Sequence, residues 1–240
     1  MIDAVLFDWG GTLSDFVSAE LVDAWRLAAR HLAPDREDAL TAALVEVERD
    51  FWCTVATHQR STTLAALVAE ASRRLGMDVG EALLEEAAVR HLDAWTPHIT
   101  HDADAEAVLT ALRDRGLRVG LLSNTHWPRS FHERFLERDG LAKLIDARLY
   151  TSEMSYQKPH PSAFQAALEA VDIDDPRRAV FVGDRPFDDI GGAQAVGLRT
   201  VLRHNPAVVD PGPDADATIT RLPELLPLID GWSAATTSAP

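Results

Sequence analysis

A single cysteine, Cys53, leaves this chain of 240 residues with neither a disulfide framework nor a cysteine metal cluster. It is expected in the core. Lysine is almost as scarce: Lys143 and Lys158 are the two, and arginine supplies the other basic side chains. Positive charge is short overall, the formal net charge being −15. That balance argues against nucleic acid or an anionic membrane as the main partner. No stretch nears the roughly 18 unbroken apolar residues of a membrane span. Nor does the N-terminus carry a basic segment followed by an apolar stretch of signal type. These absences lead to the expectation of a soluble, cytoplasmic protein, as a monomer or a homodimer. An anionic small molecule stays open as substrate, because local cations or a metal can dominate a pocket.

What is present begins with MIDAVLFDWGGTLS. Val5, Leu6 and Phe7 make a short apolar run that stops at Asp8 and a Gly-Gly-Thr turn, the pattern of a buried strand. Residues 16–97 then show helical spacing only. Leu21, Trp25, Ala28 and Leu32 form one set. Leu40, Leu44, Val47, Phe51 and Val55 form the next, after Pro34 and an expected N-cap at Asp35. Leu64, Leu67, Val68, Ala71 and Leu75 follow, with Gly76 placed to end the helix. Leu83, Leu84, Ala87, His91 and Trp95 complete the series before Pro97.

From about Ala103 helices and strands alternate. Strands are expected over residues 119–122, 147–151, 179–182 and 198–202, with a short edge strand at 218–220. Pro161 suits the first position of a helix carrying Phe164, Ala167, Leu168 and Val171. Such alternation specifies a parallel sheet with helices on both faces. The expected fold is therefore α/β, a doubly wound, Rossmann-like parallel sheet interrupted by an all-helical domain. The core would comprise residues 1–15 and 98–232, the helical insert 16–97, and a disordered tail 233–240.

Each strand ends on something polar: Asp8; Ser123, Asn124 and Thr125; Lys158 a short loop after the third; Gly183 and Asp184, with Asp188 and Asp189 close behind. Alone, Asp8 is an ordinary strand-ending cap, and Lys158 a solvated cation. In a parallel sheet, however, these ends share one edge, where open α/β sheets keep their ligands. Asp8, Asp184 and Asp189 offer hard oxygen ligands suited to Mg²⁺. Lys158 and Ser123 can hold phosphoryl oxygens, and metal and lysine together offset the repulsion between a carboxylate nucleophile and an anionic ester.

FDWGGTL, LLSNT, QKPHP and VGDRPFDDIGGAQAVG, in that order and spacing, resemble the motifs of the haloacid dehalogenase superfamily, mostly phosphatases acting through an aspartyl-phosphate. The helical insert falls where that family carries its type-1 cap. The resemblance implies Asp8 as nucleophile and Lys158 as its catalytic companion. Gly11, Thr12, Ser123, Asn124 and Lys158 would bind phosphate. Asp8, the main-chain carbonyl of Gly10, Asp184 and Asp189 would hold Mg²⁺, with Asp188 ranking second. A small phosphorylated metabolite is the implied substrate.

One departure matters. Family phosphatases carry a second Asp two residues after the nucleophile as general acid and base, and here that position is Gly10. Such help is worth about 10²–10⁴-fold. Its loss suggests an activated leaving group, a donor from the cap, or a weakened binding or regulatory protein. Phosphonatase chemistry needs a cap lysine, and the insert has none. Metal-free haloacid dehalogenation would gain nothing from Asp184 and Asp189. Trp25, Trp52, His58, Arg60 and Trp95 are candidate cap contacts to substrate, most of them expected to be core. His58 and Arg60 are the pair expected to stand in for the missing acid, and His126 and Trp127 are further candidates to reach the cleft.

Overall fold

Four fully buried residues, Ala4 to Phe7, form the strand around which the sheet assembles. A computed structural model describes residues 1–15, 21–209 and 211–237. In chain order the elements are β1 (Ala4–Phe7), α1 (Leu21–Leu32), α2 (Glu37–His58), α3 (Leu64–Arg74), α4 (Glu81–Trp95), α5 (Ala105–Asp114), β2 (Arg118–Ser123), α6 (Arg129–Arg138), β3 (Ala147–Tyr150), α7 (Pro161–Ala170), β4 (Ala179–Gly183), α8 (Gly192–Ala195), β5 (Arg199–Arg203), β6 (Ala217–Ile219) and α9 (Leu225–Thr237). The strands lie in the order β3-β2-β1-β4-β5-β6 and every pairing is parallel.

Strand alternation divides the core in two. Val5 and Phe7 face one cluster with Val108 and Leu109 of α5, Phe131 of α6 and Leu225 of α9. Ala4 and Leu6 face the other, with Phe164 and Ala167 of α7 and Ala193 of α8. The fold is thus the doubly wound α/β sheet that the alternation specifies. Helices α1 to α4 pack on one another between β1 and α5. Their buried seam, including Trp25, Leu40, Leu44, Leu67 and Leu92, runs on into the Val5 cluster. Among the described residues no helix is long and apolar enough to cross a membrane.

Several local expectations change. Asp35 does not cap α2; it lies inside a 3-10 turn, Pro34–Arg36, that precedes it. Thr63 does cap α3, its Oγ1 accepting from the Ala66 N–H at 3.2 Å. The sequence reading places no helix between Ser123 and Ala147, yet α6 forms there. Half of its residues are charged, and only Phe131, His132, Phe135 and Leu136 are buried, at i, i+4 spacing. Cys53 is exposed on α2, not in the core. Helix α9 continues to Thr237, past Ser233, where the sequence reading begins its tail. The first residues of the insert, 16–20, and the side chains of Leu21 and Val55 lie outside what is described, as do residues 238–240.

Candidate active site

Because β1 sits between β2 and β4, with Phe7 opposite Leu121 and Val182, the exits of all three strands adjoin. Asp8, Ser123 and Asp184 therefore meet at one edge, each buried. Lys158 arrives on the loop before α7 and is also buried; its Nζ donates to Asp8 Oδ1 at 2.6 Å and to Asp189 Oδ1 at 2.7 Å. Ligand oxygens of Asp8, Asp184 and Asp189 all lie within 4.8 Å of one another. Asp188 is half-buried in a π-helical turn, Pro186–Gly191, outside that triad.

Two glycines make the convergence sterically feasible. A Cβ at Gly183 would lie 2.3 Å from Asp189 Oδ2, so the strand end must be bare for that carboxylate to reach the site. At Gly11, where φ is +83°, a Cβ would lie 2.2 Å from Asp184 Oδ2. Gly10 differs: a Cβ there would meet nothing within 4 Å.

Burial raises the Asp8 carboxyl to about 6, with Asp189 adding to the rise and Lys158 opposing it. Burial also raises Asp184 to about 7, reinforced by Asp8 and Asp189. For Lys158, burial favours the neutral amine, but Asp189 and Asp8 outweigh it and the net direction is upward. The site thus holds more negative charge than one ammonium compensates. Two buried polar atoms there, Asp184 Oδ1 and Thr12 Oγ1, have no hydrogen-bond partner among the described residues. An unsatisfied buried polar atom is costly.

Asn124 spends its side chain on Lys158, with Nδ2 donating to the Lys158 carbonyl at 2.9 Å and Oδ1 accepting from its N–H at 2.8 Å. It pins the loop that presents the ammonium. The cap-side expectations mostly resolve to packing. Trp25 is buried and donates to Glu48 Oε2 at 2.6 Å; Trp95 donates to His91 Nε2 at 3.0 Å. His58 is exposed, with Nδ1 against Thr57 Oγ1, and Arg60 lies over the ring of Tyr156. His126 is buried beside Glu48 and Trp52, and burial holds its imidazole down to about 4, so it meets Glu48 uncharged at neutral pH. Trp127 packs against Trp9, Trp95 and Phe131. Trp52 is 39% exposed and packs against Phe51 and His126.

Residues at the exit of β5 escape the sequence reading. Arg203 donates to the Thr12 carbonyl and pairs with Asp102. Asn205 Nδ2 donates to Asp184 Oδ2 at 2.8 Å. The signal that finds Ser123, a polar residue just past a strand, is present in the HNP that follows β5.

A family model described as haloacid dehalogenase-like hydrolase matches residues 2–197. The chain is 30% identical to a ribulose-1,5-bisphosphate 5-phosphatase of Halopiger xanaduensis, over 91% of this chain and 89% of that one. It is 26% identical to a glyceraldehyde 3-phosphate phosphatase of Pyrococcus abyssi, over 84% and 81%. Its fold matches the crystal structure of a 2-haloacid dehalogenase from Pseudomonas syringae pv. Tomato at a TM-score of 0.72, with 25% identity, covering 97% of this chain and all of that one.

Proposed function

Because the chain belongs to the haloacid dehalogenase-like hydrolases, we propose that it is a Mg²⁺-dependent phosphohydrolase acting on a small phosphorylated metabolite through an aspartyl-phosphate on Asp8. One observation carries this: three buried carboxylates, one just past β1 and two from the segment that follows β4, meet within 4.8 Å, with the Lys158 ammonium donating to two of them. The donor set fits Mg²⁺, since it is all hard oxygen and includes the unpartnered Asp184 Oδ1. Asp8, Asp184, Asp189 and the Gly10 carbonyl would hold the ion. When bound, it supplies charge stabilisation to the phosphoryl oxygens.

In this reading Thr12, Ser123 and Lys158 orient the phosphoryl group and Asn124 keeps the lysine loop in place, whereas the Gly11 N–H, expected from the sequence at the phosphate, donates instead to the Ser14 carbonyl at 2.9 Å. A carboxylate oxygen of Asp8 attacks phosphorus, the bond to the leaving oxygen breaks, and that oxygen departs with the electron pair. Water then attacks phosphorus, freeing phosphate and restoring Asp8. Gly10 has no proton to give, so leaving groups that depart as stable anions, such as acyl phosphates, are favoured. Residues 16–97 serve as the cap over the core formed by 1–15 and 98–232, and nucleic acid and membrane are not partners.

Turnover of acetyl phosphate should require Mg²⁺, exceed that of p-nitrophenyl phosphate and greatly exceed that of alkyl phosphates. Asp8→Asn should remove it, by at least about 10³-fold. Equal activity in the Asn variant, or full activity in EDTA, would rule the mechanism out. Gly10 also supports a second reading, a phosphate-sensing protein without turnover. Trapping with beryllium fluoride separates the two, because a competent Asp8 forms the adduct.

A further inference from the structure

We propose that Asn205, on the loop leaving β5, is a positioning residue that sets the Mg²⁺ affinity of the site by fixing which oxygen of Asp184 faces the ion. The inference rests on the reading of Asp184 as an ion ligand. Asn205 Nδ2 donates to Asp184 Oδ2 at 2.8 Å, while Asp184 Oδ1 is buried and unpartnered among the described residues. One oxygen is thereby tethered and the other left for a cation.

The amide's own orientation is determined. Asn205 Oδ1 accepts from the Ala207 N–H at 3.0 Å, and only an oxygen can accept there, so the NH₂ group must point at Asp184. Space for the pair comes from Gly11. A Cβ at that position would lie 2.2 Å from Asp184 Oδ2 and 3.1 Å from Asn205 Nδ2. Three segments remote in sequence thus interlock: the turn after β1, the exit of β4 and the exit of β5. A neutral donor suits the task, because it steadies a carboxylate already crowded by Asp8 and Asp189 without adding to the local charge. Hydrogen-bonded partners of metal ligands typically govern affinity by about 10–100-fold.

The test is direct titration of Mg²⁺ into the purified full chain by calorimetry, for the unmodified protein, Asn205→Ala and Asn205→Gln. Asn205→Ala should weaken Mg²⁺ binding by about 10–100-fold. Asn205→Gln, which keeps an amide on a longer arm and guards against a folding failure, should lose less. The Mg²⁺ concentration for half-maximal turnover should climb in step, while kcat at saturating Mg²⁺ stays within about threefold. If Asn205→Ala binds Mg²⁺ like the unmodified protein, or only its melting temperature falls, Asn205 merely staples its loop and the proposal is overturned. If the unmodified protein takes up no Mg²⁺, the reading of Asp184 falls and the proposal with it.

Discussion

At position 10 a side chain would project into open space, whereas one at position 11 would strike Asp184. Adjacent glycines therefore answer to different demands. Gly11 is required by a left-handed φ of +83° and by contact, and an Ala there would be strained by at least about 1–2 kcal/mol. Gly10 is bound by neither, so a side chain can be accommodated there. Gly10→Asp should fold and should place an acid two residues past the nucleophile. On alkyl phosphates kcat/KM is expected to rise by about 10²–10⁴-fold, with acyl phosphates changed only a few-fold, since their leaving groups need no proton. Steady-state kinetics on both substrate classes checks this, and an unchanged rate on alkyl phosphates would mean that a donor already exists. The four charged site residues, Asp8, Lys158, Asp184 and Asp189, were legible because strand ends in a parallel sheet converge. Asn205 and Arg203 were not, because a lone polar residue past a strand has the same look as any turn residue. Asn124 was found but for another job, since sequence does not show which atoms a side chain has already committed.

At the scale of elements, main-chain pairing adds to the apolar seam that connects the helical body to the sheet. Residues 59–61, between α2 and α3, run beside residues 155–157 just ahead of Lys158. The Gln157 N–H donates to the Gln59 carbonyl at 2.9 Å, and the Ser61 N–H to the Ser155 carbonyl at 3.2 Å. Gln157 Nε2 adds a bond to the Arg60 carbonyl at 3.2 Å. Whatever shifts this strap shifts the lysine loop. Ser61→Pro deletes one of its donors, the Ser61 N–H. Losing about 1 kcal/mol of hydrogen bonding from the docked arrangement should raise KM about fivefold, with kcat within about twofold. An unchanged KM, measured with acetyl phosphate, would show that the strap plays no part in closing the site. Sequence could not announce this contact, because backbone pairing leaves no side-chain pattern. The helices of the insert were legible from their apolar spacing, and the sheet from its alternation. Helix α6 was hidden by its charge.

For the whole molecule, two buried sets of titratable groups pull stability in opposite directions. Burial lowers His91 and His132 to about 3 and His126 to about 4, all from an ordinary value of 6.5. Their contribution is present above about pH 6.5 and is lost on acidification, as the unfolded chain takes up protons that the folded one refuses. Asp8 at about 6 and Asp184 at about 7 do the reverse, starting from 3.8. Their contribution is complete below 3.8 and disappears as pH rises through 6 to 7, because the folded site must then hold the charges that burial opposes. A bound divalent cation removes that penalty, and it competes with protons for the same oxygens. Replacing one carboxylate by its neutral isostere isolates the second set from the first. In EDTA at pH 8, Asp184→Asn should be more stable than the unmodified chain by on the order of 2 kcal/mol, a rise of about 5 °C in Tm at this length. The gap should shrink steadily toward pH 5, where the histidine contribution weakens both proteins alike. Adding Mg²⁺ at pH 8 should raise the Tm of the unmodified chain and leave the variant nearly where it was. Thermal melts at pH 5 and pH 8, each with and without Mg²⁺, read all of these terms. A variant less stable than its parent in EDTA at pH 8 would mean that the carboxylates are not in conflict, and that this edge of the sheet was not built around a cation.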